Sequence, residues 1–306
     1  MNAPRLGIGI IGAGRVGAVL GAVLRAQGHA IVGAYAVSDA SRDRAADLLP
    51  GVPLCDVPTI VERAEMLLLA VPDDELPGLA RGIAASGIVP GGQLVVHTSG
   101  AHGTDVLAPL ARAGSATIAL HPAMTFTGTR ADLPRLSGCP IGITAAQEIL
   151  PVAAALVVEL EGRAVVIPEG DRIAYHAALA HASNHLVVLV DQARDILARI
   201  GIENPGAFLQ PLLTASLDNA LAHGAAALTG PVSRGDAEVV RAHLDALTDL
   251  DATAVCAGSG DTTAVYRALA RAALERSGLD PEQARAVRAV LDVPHEAVDP
   301  TEEEHP

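Results

Sequence analysis

The fold is decided by the stretch LGIGIIGAGRVG, residues 6–17, which joins an uninterrupted apolar run to a glycine-rich turn. An apolar run without polar alternation is typical of a parallel strand that is buried on both faces. The turn matches the pattern G-x-G-x-x-G, and a helical pattern follows it over residues 15–27. A strand, a glycine turn and a helix in this order predict the first unit of a doubly wound α/β sheet.

The three glycines of this turn, Gly12, Gly14 and Gly17, have separate roles in a phosphate-binding loop. The first makes the turn, the second lets a pyrophosphate approach the backbone, and the third lets the helix pack on the strand. The free N–H groups of the first helical turn, which includes Arg15 and Val16, would hold the anion at the positive end of the helix dipole. We therefore predict a dinucleotide site; a glycine-rich packing turn is the alternative.

The alternation of strands and helices continues to about residue 168 and then stops. The first domain, residues 1–168, is expected to be a mostly parallel sheet covered by helices on both faces. An all-helical second domain is predicted over residues 169–291, and the acid- and proline-containing residues 292–306 are expected to be a disordered tail. The helical patterns of the second domain cover residues 171–200, 205–223, 237–247, 262–277 and 281–291.

The composition excludes several classes of function. The 306 residues carry a net charge of −14, which disfavours nucleic-acid binding. No apolar run reaches 18 residues, so no membrane span is expected. All 21 basic residues are arginine, which excludes Schiff-base and Walker-type lysines. The three cysteines form no CxxC pair and predict no metal site or disulfide framework, and with no signal peptide at the N-terminus we expect a cytoplasmic protein.

The end of the second strand bears on the choice of cofactor. NAD sites place an acidic residue there for the ribose hydroxyls, but this strand ends at Val37 without one. Ser38, Arg42 and Arg44 could instead hold a 2′-phosphate, which favours NADP. Asp39 follows directly and leaves NAD open, and the arginines could also form a solvated helix face.

Further candidates stand where predicted strands end, because ligands of an open α/β sheet lie beyond the carboxyl ends of its strands. Three strand ends carry such candidates. The end of the third strand carries a proline that would shape the turn beside the cofactor, and the ends of the fourth and fifth strands carry polar side chains. The cofactor-side candidates are Val71 and Pro72 after the third strand and Thr98 and Ser99 after the fourth; His97 and His121 are the histidines at neighbouring strand ends.

The long helical pattern after residue 171 carries unusual polar residues. At about 100° per residue, His176 and Ser183 share one face and Asn184 lies roughly 80° away. His181 and His185 fall on the side opposite His176, so we predict no metal site. Ser183 and Asn184 stand in an otherwise apolar helix and need partners, either a substrate and cofactor or a neighbouring helix.

A loop between later helices contains Arg234. Its planar fork suits a bidentate contact with the carboxylate of a 2-oxo acid. The alternative is an ion pair with Asp236 that shapes the loop.

Together these motifs resemble those of the Rossmann-like and DUF2520 family of the 6-phosphogluconate dehydrogenase-like superfamily. The resemblance spans about residues 5–275, because the motifs occur in the same order in both domains. They are the glycine loop, Val71-Pro72-Asp73, His97-Thr98-Ser99-Gly100, residues 121–126, Tyr175-His176-Ala177 with Ser183-Asn184, and Thr229-Gly230-Pro231 with Arg234-Gly235-Asp236.

The resemblance implies an NAD(P)-dependent reductase, because some members are NADPH-dependent ketopantoate reductases, and it also points to a homodimer. Better-known members use a lysine on the first long helix of the second domain as general acid, and this chain has none. His176 is the natural replacement, with Ser183, Asn184 and Arg234 as substrate contacts. His97, His121 or a water could also supply the proton, and a cofactor-binding sensor or scaffold without turnover is the alternative function.

Overall fold

The structure is a computed structural model that describes residues 5–253 and 260–293. The chain divides into two compact units, residues 1–185 and 186–306. The last strand ends at Val166, close to the predicted domain boundary at residue 168. The units themselves divide later, between His185 and Leu186, because the start of the long helix packs against the sheet of unit 1.

Unit 1 contains a seven-stranded sheet with the order β2-β1-β3-β4-β5-β6-β7. The pairs from β2 to β5 are parallel, β6 runs antiparallel to β5, and β7 is parallel to β6. The predicted doubly wound sheet is confirmed; the reversal at β6 was not predicted. The strands are β1 (Gly7–Ile11), β2 (Ala30–Tyr35), β3 (Met66–Leu69), β4 (Leu94–His97), β5 (Ala116–Pro122), β6 (Pro140–Ala145) and β7 (Arg163–Val166).

Helices cover both faces of the sheet. The long helix α8 begins in unit 1 and ends in unit 2. The helices are α1 (Arg15–Ala26), α2 (Asp39–Leu48), α3 (Val57–Arg63), α4 (Leu76–Ala85), α5 (Ala108–Arg112), α6 (Leu133–Leu136), α7 (Leu150–Glu159) and α8 (Arg172–Arg199).

The central strands are buried on both sides, which explains their unbroken apolar sequences. Ile8 and Ile10 point into a core shared with α1 and α7, whereas Ile11 and Leu69 point into a second core shared with α3 and α4. Since β2 and β3 flank β1 on opposite sides, the carboxyl end of β1 is the point where the strand order reverses. Ligands of open α/β sheets bind at this point.

Unit 2 is helical throughout its described residues. Helices α11, α12 and α13 pack around an apolar core that includes Val240, Leu274 and Val287. Asp292, where the predicted tail begins, ends the last helix, and residues 294–306 lie outside the described residues. The helices after α8 are α9 (Pro205–His223), α10 (Pro231–Arg234), α11 (Ala237–Ala252), α12 (Thr262–Leu274) and α13 (Pro281–Asp292).

Residues 169–199 form one helical segment that is long and apolar enough to cross a membrane by length and composition alone. A helix of a soluble protein that is covered by other helices has the same composition. The segment carries Ser183, Asn184 and three histidines in the part that would lie in the bilayer, where polar groups lose their hydrogen bonds to water. None of its most apolar 18-residue window is buried in the structure, and a single such helix is weak evidence for a membrane span.

Candidate functional site

The glycine turn lies at the carboxyl end of β1, where the strand order reverses. Gly12 has a φ of +100°, and a Cβ on it would overlap the carbonyl oxygen of Ala70. A Cβ on Gly17 would overlap the Gly12 carbonyl oxygen, so this glycine lets α1 pack on the strand. These two glycines are required by the fold itself.

Gly14 differs from the other two glycines of the turn. It has an ordinary φ of −76°, and a Cβ on it would meet no atom within 4 Å. The fold therefore gives no reason for glycine here, whereas a ligand that approaches the backbone does. No side chain caps the N-terminus of α1, and its first turn contains no acidic residue. The N–H groups at Arg15 and Val16 are thus placed for an anion, and a pyrophosphate fits this cradle.

The turns after β3 and β4 border the same edge of the sheet. Ala70 donates its N–H to Ile11, and Thr98 donates its N–H to Leu69, so that each turn is tied to the neighbouring strand. Val71 and Thr98 are half-buried, Pro72 is exposed and Ser99 is buried. The Ser99 hydroxyl accepts a hydrogen bond from the His102 N–H, so Ser99 holds its own loop together.

Ser38 and Arg42 are already engaged with neighbouring residues. The Ser38 hydroxyl accepts the N–H of Ser41 and caps α2, and Arg42 forms an exposed ion pair with Asp39 at 2.8 Å. Helix α2 therefore begins at the residues that the sequence suggested for a 2′-phosphate.

Two other arginines meet beside the glycine turn. A Cβ on Gly128 would lie 2.8 Å from Arg44 Cδ and 3.0 Å from Arg15 Cγ, so both side chains contact this glycine. Arg44 is half-buried and Arg15 is exposed. These two cations lie at the start of α1 and on α2, the two elements that follow the strands β1 and β2.

His97 is a structural residue of the loop after β4. It is fully buried, its Nδ1 accepts the N–H of Ser99, and its Nε2 donates to the carbonyl of Gly103 at 2.8 Å. Both ring nitrogens are thus satisfied in one neutral tautomer. The pKa of His97 is lowered to about 4, mainly by burial, with the positive charge of Arg172 acting in the same direction and the hydrogen bond to Gly103 opposing it. The single ring proton of neutral His97 is engaged in the hydrogen bond to the Gly103 carbonyl, so this histidine holds the loop together.

His121 forms the centre of a polar cluster with the first turn of α8. Its Nδ1 lies 3.0 Å from the Tyr175 hydroxyl, and its ring meets the His176 ring edge-on with the centroids 6.0 Å apart. A Cβ on Gly100 would lie 2.7 Å from His176 Cδ2 and 3.0 Å from His121 Nε2. Glycine at position 100 thus leaves room for both imidazole rings.

Arg172 lies beneath this cluster and is 1% exposed. Its Nε donates to Thr144 Oγ1 at 2.7 Å, and its Nη2 donates to the carbonyls of Ala119 and Gly142 at 3.2 Å each. Its Cζ lies 5.8 Å from the centre of the Tyr175 ring. The cluster therefore contains a buried cation whose hydrogen-bond acceptors are all neutral.

The structure places His176 beside His121 in this cluster, and its role as a residue that contacts the substrate stays a prediction. Ser183 and Asn184 lie about two turns further along α8, half-buried and exposed, with no side-chain hydrogen bond to another described residue. Arg234 belongs to unit 2, where its Nε bonds Asp236 at 2.9 Å and its Nη1 bonds the carbonyl of Thr229. The loop-shaping ion pair that was the alternative for Arg234 is present.

No group of three or more metal-ligating side chains occurs among residues 5–253 and 260–293. His181 and His185 face each other on α8 with their Nδ1 atoms 2.8 Å apart and are exposed. Arg172 is a site residue that sequence reasoning missed, and Tyr175 was named only within the motif Tyr175-His176-Ala177, without a role. Their signal was weak, since a charged residue and a tyrosine in the first turn of a helix are ordinary surface features.

Comparison with known proteins identifies the domains. Residues 1–122 match the Rossmann-like domain, and residues 139–273 match the domain of unknown function DUF2520. The chain is therefore a Rossmann-like and DUF2520 domain-containing protein, as its motifs indicated. No curated protein matches the chain in sequence.

Solved structures with the same fold include proteins described as oxidoreductases. A proposed NADP oxidoreductase from Bacteroides fragilis aligns over 89% of this chain and 98% of its own, with 22% identity and a TM-score of 0.74. An imine reductase variant from Myxococcus stipitatus in complex with NAD⁺ aligns over 94% of this chain and 99% of its own, with 18% identity and a TM-score of 0.53. A pyrroline carboxylate reductase from Plasmodium falciparum with NADP bound aligns over 94% of this chain and 95% of its own, with 12% identity and a TM-score of 0.53. At these identities the likeness shows a shared fold.

Proposed function

We propose that the protein is an NAD(P)-dependent oxidoreductase that reduces a small carbonyl compound. The observation that carries this proposal is Gly14, because its position leaves open space at a helix N-terminus that is free of acids and side-chain caps. A dinucleotide pyrophosphate explains a glycine there, and no packing contact does. Structures of the same fold hold NAD⁺ or NADP, which supports this choice of ligand.

The same edge of the sheet supplies polar groups for a reaction. A reduced nicotinamide, when bound, would donate a hydride to the substrate carbonyl carbon. The chain must then supply a proton to the carbonyl oxygen and keep charge balanced around it. The cluster of His121, Tyr175, His176 and Arg172 offers proton-bearing side chains and a buried positive charge in one place.

We infer a preference for NADPH over NADH. Arg44 and Arg15 meet at Gly128 beside the glycine turn, and two cations at this position favour the extra phosphate of NADPH. Ser38 and Arg42 stand at the start of α2 and remain candidates for the same phosphate. The carboxylate of Asp39 is already paired with Arg42. It is therefore less available to bind the ribose hydroxyls, which is the contact that would favour NAD.

The proposed substrate class is a 2-oxo acid such as ketopantoate. The positive charge of Arg172 next to the histidines favours an anionic substrate or a negatively charged transition state. Arg234 remains a proposed carboxylate anchor, which requires its ion pair with Asp236 to be shared or exchanged. The free thiols of Cys55 and Cys139 agree with a reducing, cytoplasmic location, which we also propose.

The proposed function is tested by following the absorbance of NADPH and NADH with a panel of 2-oxo acids and cyclic imines. We expect NADPH oxidation with at least one 2-oxo acid, and ketopantoate is the first to test. Oxidation of NADPH with cyclic imines alone would show that the substrates are imines and not 2-oxo acids. Tight NADPH binding without turnover on any compound would favour a sensor or scaffold, and absence of binding would overturn the proposal.

A further inference from the structure

The hydrogen bond between His121 and Tyr175 has a direction that the surrounding charges decide. Burial lowers the pKa of His121 to about 4, with electrostatic effects of His176 and Arg172 acting in the same direction and Asp73 opposing them. His121 is therefore neutral near pH 7 and carries a proton on one nitrogen only. Either the Tyr175 hydroxyl donates to Nδ1, or Nδ1 donates to the hydroxyl oxygen.

Arg172 favours the first arrangement. Its guanidinium lies 5.8 Å from the Tyr175 ring, and a nearby cation stabilises negative charge that develops on the phenol oxygen as it donates. Burial raises the pKa of Tyr175 and Arg172 opposes this rise, so the hydroxyl is kept protonated while its charged form is partly stabilised. With Tyr175 as donor, the single proton of His121 lies on Nε2.

The Nε2 atom points to the side where the reaction is proposed to occur. It lies next to Gly100, in the loop after β4, at the edge of the sheet that also carries the glycine turn. It has no hydrogen-bond partner among the residues that the structure describes. A neutral imidazole that presents N–H to a carbonyl oxygen polarises that carbonyl, and catalysis by a neutral histidine is chemically established.

The guanidinium of Arg172 is also incompletely satisfied. Its Nη1 is buried without a hydrogen-bond partner within residues 5–253 and 260–293. Glu169, the acid that acts on Arg172 electrostatically, already accepts hydrogen bonds from Thr104 and Asp105. Burial lowers the pKa of Arg172, so the protein gives up stability to keep a cation here. A negative charge that forms only during the reaction explains such an arrangement.

We propose that His121 and Tyr175 form a proton relay, in which His121 is the catalytic residue that touches the substrate and Arg172 is a positioning residue. As hydride reaches the carbonyl carbon, the Nε2–H bond breaks and a new O–H bond forms on the substrate oxygen. At the same time Nδ1 takes the hydroxyl proton of Tyr175. The products are an alcohol, a neutral His121 with its proton on Nδ1, and a Tyr175 phenolate beside Arg172. The starting state returns when a proton from the solvent binds Nε2 and Nδ1 gives its proton back to the phenolate.

This relay rests on the proposed reductase function, with the reduced nicotinamide as hydride donor. It assigns the proton to His121 and not to His176, which was the candidate suggested by the sequence. His176 then packs edge-on against His121 and supports its orientation. The two assignments lead to opposite expectations for the variants His121→Gln and His176→Gln.

The kinetic test compares Tyr175→Phe, His121→Gln and His176→Gln on the best substrate of the panel. General acid catalysis is worth roughly 10²–10⁴ in rate, so we expect the first two variants to lower kcat by about that factor. His176→Gln should stay within about tenfold, and the NADPH dissociation constant should change little in all three. A proton inventory in mixed H₂O and D₂O should indicate two protons in flight in the wild type and one in Tyr175→Phe. Near-normal kcat in Tyr175→Phe, or a larger loss in His176→Gln than in His121→Gln, would overturn the relay.

A second measurement needs no substrate and so separates failure of the relay from failure of the proposed function. Nitrogen-15 NMR of labelled histidine reports the charge and the tautomer of His121. The signals of His121 are identified as those that are missing from the spectrum of His121→Gln. We expect a neutral ring with its proton on Nε2 from pH 5.5 to 8, and a change in tautomer balance in Tyr175→Phe. A proton on Nδ1 in the wild type, or a charged ring at pH 6, would refute the relay whether or not the protein turns over a carbonyl compound.

Discussion

At the scale of single residues, the three glycines of the turn separate what the fold needs from what a ligand needs. Gly12 and Gly17 cannot carry a Cβ without overlap with backbone or neighbouring side-chain atoms, whereas Gly14 can. Within the single motif G-x-G-x-x-G, the first and third glycines are therefore needed for the fold, and the second is needed for binding. This difference makes Gly14 the position where function can be changed while the fold is kept.

The first residue-scale prediction concerns Gly14→Val. The variant should fold with an unfolding midpoint close to that of the wild type, because the added side chain meets open space. It should lose about 100-fold or more in NADPH affinity, because the valine occupies the place of a pyrophosphate that accepts several charge-assisted hydrogen bonds. Isothermal titration of the folded variant measures this loss.

Gly78→Val is the matched control for this experiment. Gly78 is exposed on α4, and a Cβ there also meets open space. NADPH affinity should be unchanged in this variant. Retained affinity in Gly14→Val would remove the glycine turn from the site.

The second residue-scale prediction concerns cofactor choice. A hydrogen bond to a charged group contributes about 1.5–3 kcal/mol, so Arg44→Ala should weaken NADPH binding by roughly 10- to 100-fold. NADH binding should change less than about twofold, because NADH lacks the 2′-phosphate. Arg42→Ala should have a smaller effect on NADPH, because Asp39 already engages this arginine.

Fluorescence titration of both cofactors with each variant provides the measurement. An NADPH dissociation constant no lower than that of NADH in the wild type would show that NADP is the wrong cofactor. Equal losses of affinity for NADPH and NADH in Arg44→Ala would mean that Arg44 supports the fold and does not bind the 2′-phosphate.

At the scale of elements, the loop after β4 is held at both of its ends, by the buried His97 and by the half-buried Glu169. His97 ties the strand end to Gly103, and the Glu169 carboxylate accepts the N–H groups of Thr104 and Asp105. This loop carries Gly100, which makes room for His121 and His176. The geometry of the polar cluster therefore depends on a neutral, buried His97.

This dependence predicts how stability changes with pH. The pKa of His97 is about 4 in the folded chain, against about 6.5 when the chain is unfolded, so between these values the unfolded state binds a proton that the folded state does not. The contribution of neutral His97 to the free energy of unfolding is complete above pH 6.5 and is lost as the pH falls through 6.5 towards 4. It amounts to about 3 kcal/mol of unfolding free energy.

Urea unfolding at several pH values between 7 and 4 checks this prediction. His97→Asn should be less stable than the wild type at pH 7 and should depend less steeply on pH. An equal pH dependence in the two proteins would assign the effect to other groups, of which His121 is the first to test because its pKa is also about 4.

The elements show how far the sequence predicts this structure. Apolar runs between turn residues predict seven strands, and all seven are observed; α9 was predicted over residues 205–223 as observed. The predicted strands cover residues 6–11, 30–37, 66–71, 93–97, 117–120, 139–144 and 164–167. Helix α3 was missed, because its seven residues are too short for a helical period. The antiparallel direction of β6 was also missed, because an apolar run carries no information on strand direction.

The candidate site was predicted only in part for a similar reason. The glycine turn and the strand-end histidines are local patterns, so the sequence shows them directly. Arg172 is buried through contacts with Thr144, Ala119 and Gly142, which lie between 28 and 53 residues away along the chain. Such burial depends on the folded sheet and leaves no local signal.

At the scale of the whole molecule, unit 2 exposes more apolar surface than a single chain normally leaves in water. On α9, Phe208 and Leu212 are 59% and 62% exposed, and Leu217 and Leu221 are 50% and 79% exposed. At about 100° per residue the first pair and the second pair lie on opposite sides of the helix. Large exposed apolar side chains on two sides of one helix are typical of a surface that another protein covers.

The same unit contains an apolar groove of about 680 Å³. The end of α8 and helices α10, α11 and α12 line it, with Leu189, Ile196, Leu247 and Leu269 among its side chains. Each copy of the chain thus offers both an exposed apolar helix and an apolar groove. A two-fold dimer buries both at once, since every contact is made twice. We therefore propose a homodimer through the helical domain, with the second copy covering α9 and the groove.

Light scattering at micromolar concentration tests the dimer. We expect the wild type to have twice the mass of the chain, because an interface that covers α9 and the groove should reach the size of stable interfaces. The double variant Leu212→Glu/Leu221→Glu should be monomeric or aggregated, because charges cannot be buried against an apolar partner. Leu54→Glu, at a 50% exposed leucine of unit 1, is the control and should leave the dimer intact. A monomeric wild type would show that another partner, and not a second copy, covers these helices.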